Sequence, residues 1–72
     1  MSHWTSIKTQ ISDAEALRSA CKEMGLSLEG AGEARGYYEN RLKGDFIIRL
    51  KGPYDIALVR NSNGHFDLTA DL

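Results

Sequence analysis

Cysteine, proline and long apolar stretches are all scarce in this 72-residue chain. The single cysteine, Cys21, excludes an internal disulfide and is typical of a reducing compartment. No apolar run approaches the ~20 residues that span a bilayer, and no secretory pattern opens the chain. The chain also lacks an excess of positive or negative charge, because it has nine Lys and Arg residues and ten Asp and Glu residues. The net charge of −1 argues against a general affinity for polyanions. From the single cysteine and the missing membrane-spanning stretch and secretory pattern, we expect a cytoplasmic protein.

The length of the chain supports one small domain over residues 1–72. A chain of this size buries only ~60% of the surface that its unfolded form exposes, so its stability is marginal. Additional burial against a partner would therefore be favourable.

One helix is the best-defined element of the sequence. Apolar residues recur at helical spacing over residues 13–24. Ser12 stands at the N-cap position, and Glu15 completes a capping box with it. Gly25 follows where a left-handed C-terminal residue is needed. The pattern predicts a helix from about residue 13 to residue 24.

Alternation of apolar and polar residues predicts four strands. They are Trp4–Ile11, Asp45–Leu50, Tyr54–Arg60 and His65–Ala70. Residues 26–29 and the pair Tyr37–Tyr38 are candidates for further short strands, whereas residues 30–36 and 40–44 are typical of turning or mobile segments. We therefore expect an α+β fold in which one helix packs on an antiparallel sheet of about four strands, in the order β-α-β-β-β.

The dipeptide Asn63–Gly64 is typical of a two-residue hairpin turn. With that turn, Ser62 would pair with His65, and Leu58 would lie opposite Thr69 further along the hairpin. The register sends Leu58 and its alternate neighbours to the sheet face away from the helix.

The second sheet face is expected to be apolar and uncovered, because one helix shelters only one face. Such a surface is typical of an interaction site, so the leading function is a small non-enzymatic module that binds a second copy of itself or a host protein. The predicted contact residues are Ile47, Arg49, Tyr54, Ile56, Leu58 and Arg60.

A single-stranded nucleic-acid-binding module is the second interpretation, because residues 41–60 are locally basic and tyrosines lie near them. The candidate residues are Tyr37, Arg41, Lys43, Arg49 and Lys51. It ranks below the first because the overall charge is slightly acidic and no RNA-recognition signature is present. A simpler interpretation is that these basic residues lie on a solvated face and at strand edges, where their charges discourage aggregation.

The third interpretation is that the protein is a small enzyme subunit. His3 and His65 are the only histidines and have no zinc-ligand spacing. Cys21 falls on the apolar stripe of the helix and is expected to be a core residue rather than a nucleophile. Asp13 and Glu15 suit the first helical turn, so they do not require a catalytic explanation. We expect no enzyme activity, no metal and no cofactor.

Five separate segments, in the same order, resemble one known family. They are Met1–Trp4, Ile7–Ile11, Gly44–Arg49, Lys51–Ala57 and Leu68–Leu72. The chain resembles the uncharacterised reading-frame proteins of cyanobacteria, some algal plastids and cyanophages that are known as hypothetical chloroplast reading frame thirty-five, and only residues 27–40 match loosely.

The resemblance implies a cyanobacterial cytosol, or the cytosol of a phage-infected host, and supplies no catalytic residue. Members of that family usually continue past the position of Leu72 into a further segment with helical sequence. If that segment covers the second sheet face in longer relatives, a chain that stops here is expected to expose Ile56 and Leu58.

Overall fold

The computed structural model describes residues 4–71, so the expectations for His3 and Leu72 lie outside the described residues. Within that range the chain forms one helix and seven strands. Their bounds are β1 Trp4–Lys8, α1 Ala14–Met24, β2 Ser27–Glu29, β3 Gly32–Arg35, β4 Arg41–Gly44, β5 Phe46–Arg49, β6 Ile56–Arg60 and β7 Phe66–Asp71. The expectation of an α+β fold with one helix on an antiparallel sheet is confirmed. The strand count and order are wrong, because β2, β3 and β4 were not among the four predicted strands.

Helix α1 begins and ends close to the predicted positions. Its N-cap is Asp13 rather than Ser12, since the Asp13 carboxylate accepts the backbone N–H of Glu15 at 2.9 Å. Gly25 closes the helix in the left-handed conformation at φ 72°, as predicted. Leu17 and Cys21 carry the buried side of the helix.

Five strands form one antiparallel sheet in the order β1-β7-β6-β5-β2. The β6–β7 register differs by one residue from the expected one, because Leu58 lies opposite Leu68 rather than Thr69. Three residues rather than two form the turn, since the N–H of Asn61 donates to the carbonyl of His65 at 2.7 Å.

The side chain of Asn61 favours this longer turn. Its amide oxygen accepts the backbone N–H groups of Asn63 at 2.9 Å and His65 at 3.2 Å. Gly64 then adopts φ 84°, as the last residue of a three-residue hairpin loop often does. A slip of one residue exchanges the two faces of a strand. Ile56 and Leu58 therefore lie on the helix side of the sheet, contrary to the prediction.

The segment predicted to be a turning loop forms a second, two-stranded sheet. Strands β3 and β4 pair in antiparallel register, and Tyr38 turns the chain between them at φ 57°. Ala34 and Leu42 of this hairpin pack on Ile47 and Ala57 of the larger sheet. Small residues on β3 hid the alternation that a strand normally shows.

The protein therefore has three layers, with the five-stranded sheet between α1 and the β3–β4 hairpin. The helix side holds the larger core, built on buried Leu17, Cys21, Ile48, Leu58 and Phe66. The hairpin side holds a smaller one around Ile47. The expected uncovered second face is thus wrong, because the chain's own hairpin covers its centre.

Candidate interaction surface

The apolar residues predicted to contact a partner do not form one surface. Ile47 and Leu58 are fully buried, with 0% of their surface exposed. Ile47 lies under the hairpin, whereas Leu58 lies in the core beneath α1. Ile56 is half-buried and also faces the helix side. A docking surface made of these three side chains is therefore ruled out as it was predicted.

Two polar members of that predicted set, Arg49 and Arg60, make contacts that hold the fold together. The half-buried Arg49 guanidinium donates to the carboxylates of Glu29 at 3.0 Å and Asp55 at 2.8 Å. Arg60 lies 4.4 Å above the ring of Phe66 and donates to the carbonyl of Ser12 at 2.9 Å. Tyr54 is half-buried before β6. These contacts give Arg49 and Arg60 structural roles.

Asp55 is the most heavily bonded of the described carboxylates, and it is fully buried. It receives two bonds from the guanidinium of Arg35 and one from that of Arg49, each 2.8 Å long. The backbone N–H groups of Arg35 and Leu50 donate to it as well, at 2.9 and 3.3 Å. These donors hold the pKa of Asp55 well below its usual range, with the Arg35 side chain as the largest cause and burial opposing it. The carboxylate is therefore ionised at neutral pH, and it ties the hairpin to β5.

The residues of the nucleic-acid interpretation are spread over both sheets and the loops beside them. Arg41 and Lys43 lie exposed on β4, and Lys51 is exposed in the loop after β5. Tyr37 is 40% exposed and lies against the ring of Tyr38. Arg49 already binds two carboxylates, which leaves its guanidinium less available to phosphate. The interpretation stays a prediction without a specific structural feature in its favour.

An apolar trough lies on the helix side of the sheet, over β1, β7 and the start of β6. Its walls are Thr5, Ile7, Ile56, Leu68 and Ala70. It measures about 220 Å³, and Ile7 is 63% exposed at its outer wall. Helix α1 lies closest to β2, at the other edge of the sheet, and leaves this part of the sheet uncovered. We call this surface the apolar trough.

The apolar trough continues into a cleft of about 270 Å³ beneath α1. The two share Ile56 and Leu68, and the cleft extends past Leu17 to Met24, which is 73% exposed. Apart from Thr9, the side chains that line the cleft are apolar or the Cys21 thiol. Such a lining favours apolar contacts and offers little to a charged ligand.

No group of three metal-ligating side chains is found among residues 4–71. Cys21 is buried on the helix, as expected, and burial raises the pKa of its thiol, which favours the protonated form. In the same range, no helix has the length and apolar character needed to cross a bilayer.

Sequence reasoning missed the apolar trough because its register was off by one residue. With Leu58 opposite Leu68, the alternate residues Ile56, Leu68 and Ala70 share a face with Ile7. The sequence did show Thr5, Ile7 and Thr9 on one side of the first strand. That alternation reveals the apolar trough only when the neighbouring strand is placed in the correct register.

Comparison with known proteins identifies no relative: no protein-family model, no curated protein and no solved structure matches the chain.

Proposed function

We propose that the protein is a small, non-enzymatic interaction module that associates with a second copy of itself through the apolar trough. The observation that carries the proposal is the exposed Ile7 side chain beside the half-buried Ile56, Leu68 and Ala70. Removing apolar surface from water contributes roughly 25 cal/mol per Å². Association would therefore bury apolar surface that a chain of this size leaves exposed when it folds alone.

Two features support a second copy as the occupant. The net charge of −1 gives two copies almost no mutual repulsion. The apolar trough also ends at β1, which is an edge strand of the sheet, so two copies can approach with the same surface on each side. From the resemblance of the sequence, we further propose that this association takes place in a cyanobacterial or phage-infected cytosol.

Sedimentation equilibrium of the full chain tests the proposal. The measurement compares the dimer affinity of the wild type with that of an Ile7→Lys variant. We expect the wild type to form a dimer at concentrations up to about 1 mM, where an association free energy of about −4 kcal/mol becomes measurable. Ile7→Lys introduces an ammonium into the apolar trough and is expected to weaken the dimer at least about tenfold, or 1.4 kcal/mol.

The matched control is Val59→Lys. Val59 is 36% exposed on the other side of the sheet and lies opposite Asp67, so the new lysine has a nearby carboxylate. This variant should dimerise like the wild type. A wild-type chain that sediments as a monomer at every concentration overturns the proposal and would indicate that the apolar trough binds a different protein. Equal weakening of the dimer by Ile7→Lys and Val59→Lys also overturns it.

A further inference from the structure

The two edges of the five-stranded sheet differ in length. At one edge, β2 has three residues; at the other, β1 has five. Thr5, Ser6, Ile7 and Lys8 of β1 are all exposed. The pairing of β1 with β7 is continuous from Trp4 to Lys8, without a bulge or a proline that would blunt the edge.

The direction of the free backbone groups on β1 follows from two hydrogen bonds. The N–H of Thr9 donates to the carbonyl of Phe66, so even-numbered residues of β7 bond toward β1. The N–H of Asn61 donates to the carbonyl of His65, so odd-numbered residues there bond toward β6, in agreement with the first bond. Because bonding alternates along an antiparallel strand, Thr5 and Ile7 bond inward. Trp4, Ser6 and Lys8 direct their N–H and C=O groups outward.

A twofold axis between two hydrogen-bonded copies of β1 can pass through an outward-bonding or an inward-bonding residue, because outward-bonding residues pair with each other in either case. An axis at Thr5 or at Ile7 would align only three of the five residues of β1. An axis at Lys8 would place two ammonium groups opposite each other, which is destabilising. An axis at Trp4 would leave most of β1 without a partner. An axis at Ser6 aligns all five residues, with Thr5 opposite Ile7 and Trp4 opposite Lys8 of the second copy.

The side chains fit the Ser6 register on both faces. On the helix side, the Thr5 and Ile7 pairs would adjoin Leu68 and Ala70, so that the two apolar troughs meet. On the hairpin side, the exposed ammonium of Lys8 would lie beside the indole of Trp4 of the second copy, where a cation–π contact is available. The axis would repeat each contact twice.

We propose that two copies of the chain pair β1 with β1 in antiparallel register about a twofold axis at Ser6, which joins their sheets into one. The inference rests on the proposed function, because it specifies how the second copy occupies the apolar trough. Backbone bonds of Trp4, Ser6 and Lys8 join the two strands, the alignment of all five residues of β1 selects the register, and the joined troughs supply the apolar contact.

The test compares Ser6→Pro with Ser6→Ala in the full chain by sedimentation equilibrium. Both variants lose the 2.8 Å contact between the Ser6 and Thr69 hydroxyl groups. Only proline removes the outward N–H, and it leaves the bonds between β1 and β7 in place. We expect Ser6→Pro to weaken the dimer at least about tenfold and Ser6→Ala to change it less than about twofold.

The outcomes separate the inference from the proposed function. A dimer that survives Ser6→Pro but is lost in Ile7→Lys means that the copies meet face to face, which overturns the inference and leaves the proposed function standing. A monomeric wild type overturns both.

Disulfide crosslinking provides a second readout in case Ser6→Pro fails to fold. In the proposed register, Ser6→Cys places two cysteines across the axis about 5.5 Å apart at Cα, within disulfide range. Lys8→Cys would place them about 14 Å apart, because four residues offset the two positions along the strands. We expect covalent dimers from Ser6→Cys at least about tenfold faster than from Lys8→Cys. Equal rates overturn the register.

Discussion

Arg35 and Asp55 form a bidentate ion pair in which Nε and Nη2 of the guanidinium each lie 2.8 Å from a carboxylate oxygen. The backbone repeats the link, since the N–H of Asp55 donates to the carbonyl of Arg35 at 3.0 Å. Arg35 ends β3 and Asp55 precedes β6, so the pair joins the hairpin to the larger sheet. It is the main polar connection between these two layers.

Replacing Asp55 with asparagine should destabilise the protein markedly. The amide would turn N–H groups toward donors of Arg35 and Arg49, and the two cations would lose their shared anion. Breaking a buried pair typically costs 3–5 kcal/mol. Because the Arg35 and Arg49 side chains are 42% and 31% exposed, we expect a smaller loss of about 2 kcal/mol. Urea unfolding measures it, with the exposed Glu39→Gln as the control. Equal losses from both substitutions would contradict the structural role of Asp55.

Acid should weaken the wild type through the same carboxylate. The folded protein holds the pKa of Asp55 below its unfolded value of about 3.9, so the folded state binds fewer protons there. The stabilisation is therefore complete above about pH 5 and is lost as the pH falls through the unfolded pKa toward the pKa of the folded state. We expect the stability difference between the wild type and Asp55→Asn to shrink between about pH 5 and pH 2. Urea midpoints of the two proteins across that range measure it, and a constant difference would exclude Asp55 as the source.

Gly36→Ala should disturb the packing where the hairpin approaches β1 and β7. A Cβ atom at Gly36 would lie 2.7 Å from Oδ2 of Asp71 and 2.8 Å from two ring carbons of Trp4. Overpacking of this kind typically costs 1–3 kcal/mol, so we expect a loss of about 2 kcal/mol in urea unfolding. Because Trp4 is the only tryptophan, its fluorescence should also shift. Gly52→Ala is the control, since a Cβ there meets nothing within 4 Å, and it should leave both readouts nearly unchanged.

The helix was predictable because its signals are local. The apolar spacing and Gly25 act within a few residues, and they gave α1 nearly its true bounds. The N-cap differed because Ser12 and Asp13 are both good capping residues at adjacent positions. Strands β5, β6 and β7 were also found from their alternation, with ends that differ by one or two residues.

The apolar trough was not predictable, because it depends on the register between two strands and not on the pattern within either strand. A preference of Asn61 for a three-residue turn moved the β6–β7 register by one residue and changed the face of Ile56. The covering hairpin depends on the ion pair of Arg35 with Asp55, which lie 20 residues apart. Neither relationship has a local period that a sequence pattern reveals.

The unequal edges of the sheet would limit how far copies of this chain could assemble if they pair as we propose. Head-to-tail joining of β1 to β2 would add molecules without end and build a fibre. The β2 edge offers only three residues, and its Glu29 is already bound by Arg49, so it is a poor template for another strand. In the proposed dimer, growth from the longer edge alone would stop once two molecules have joined, which would protect the protein from polymerisation.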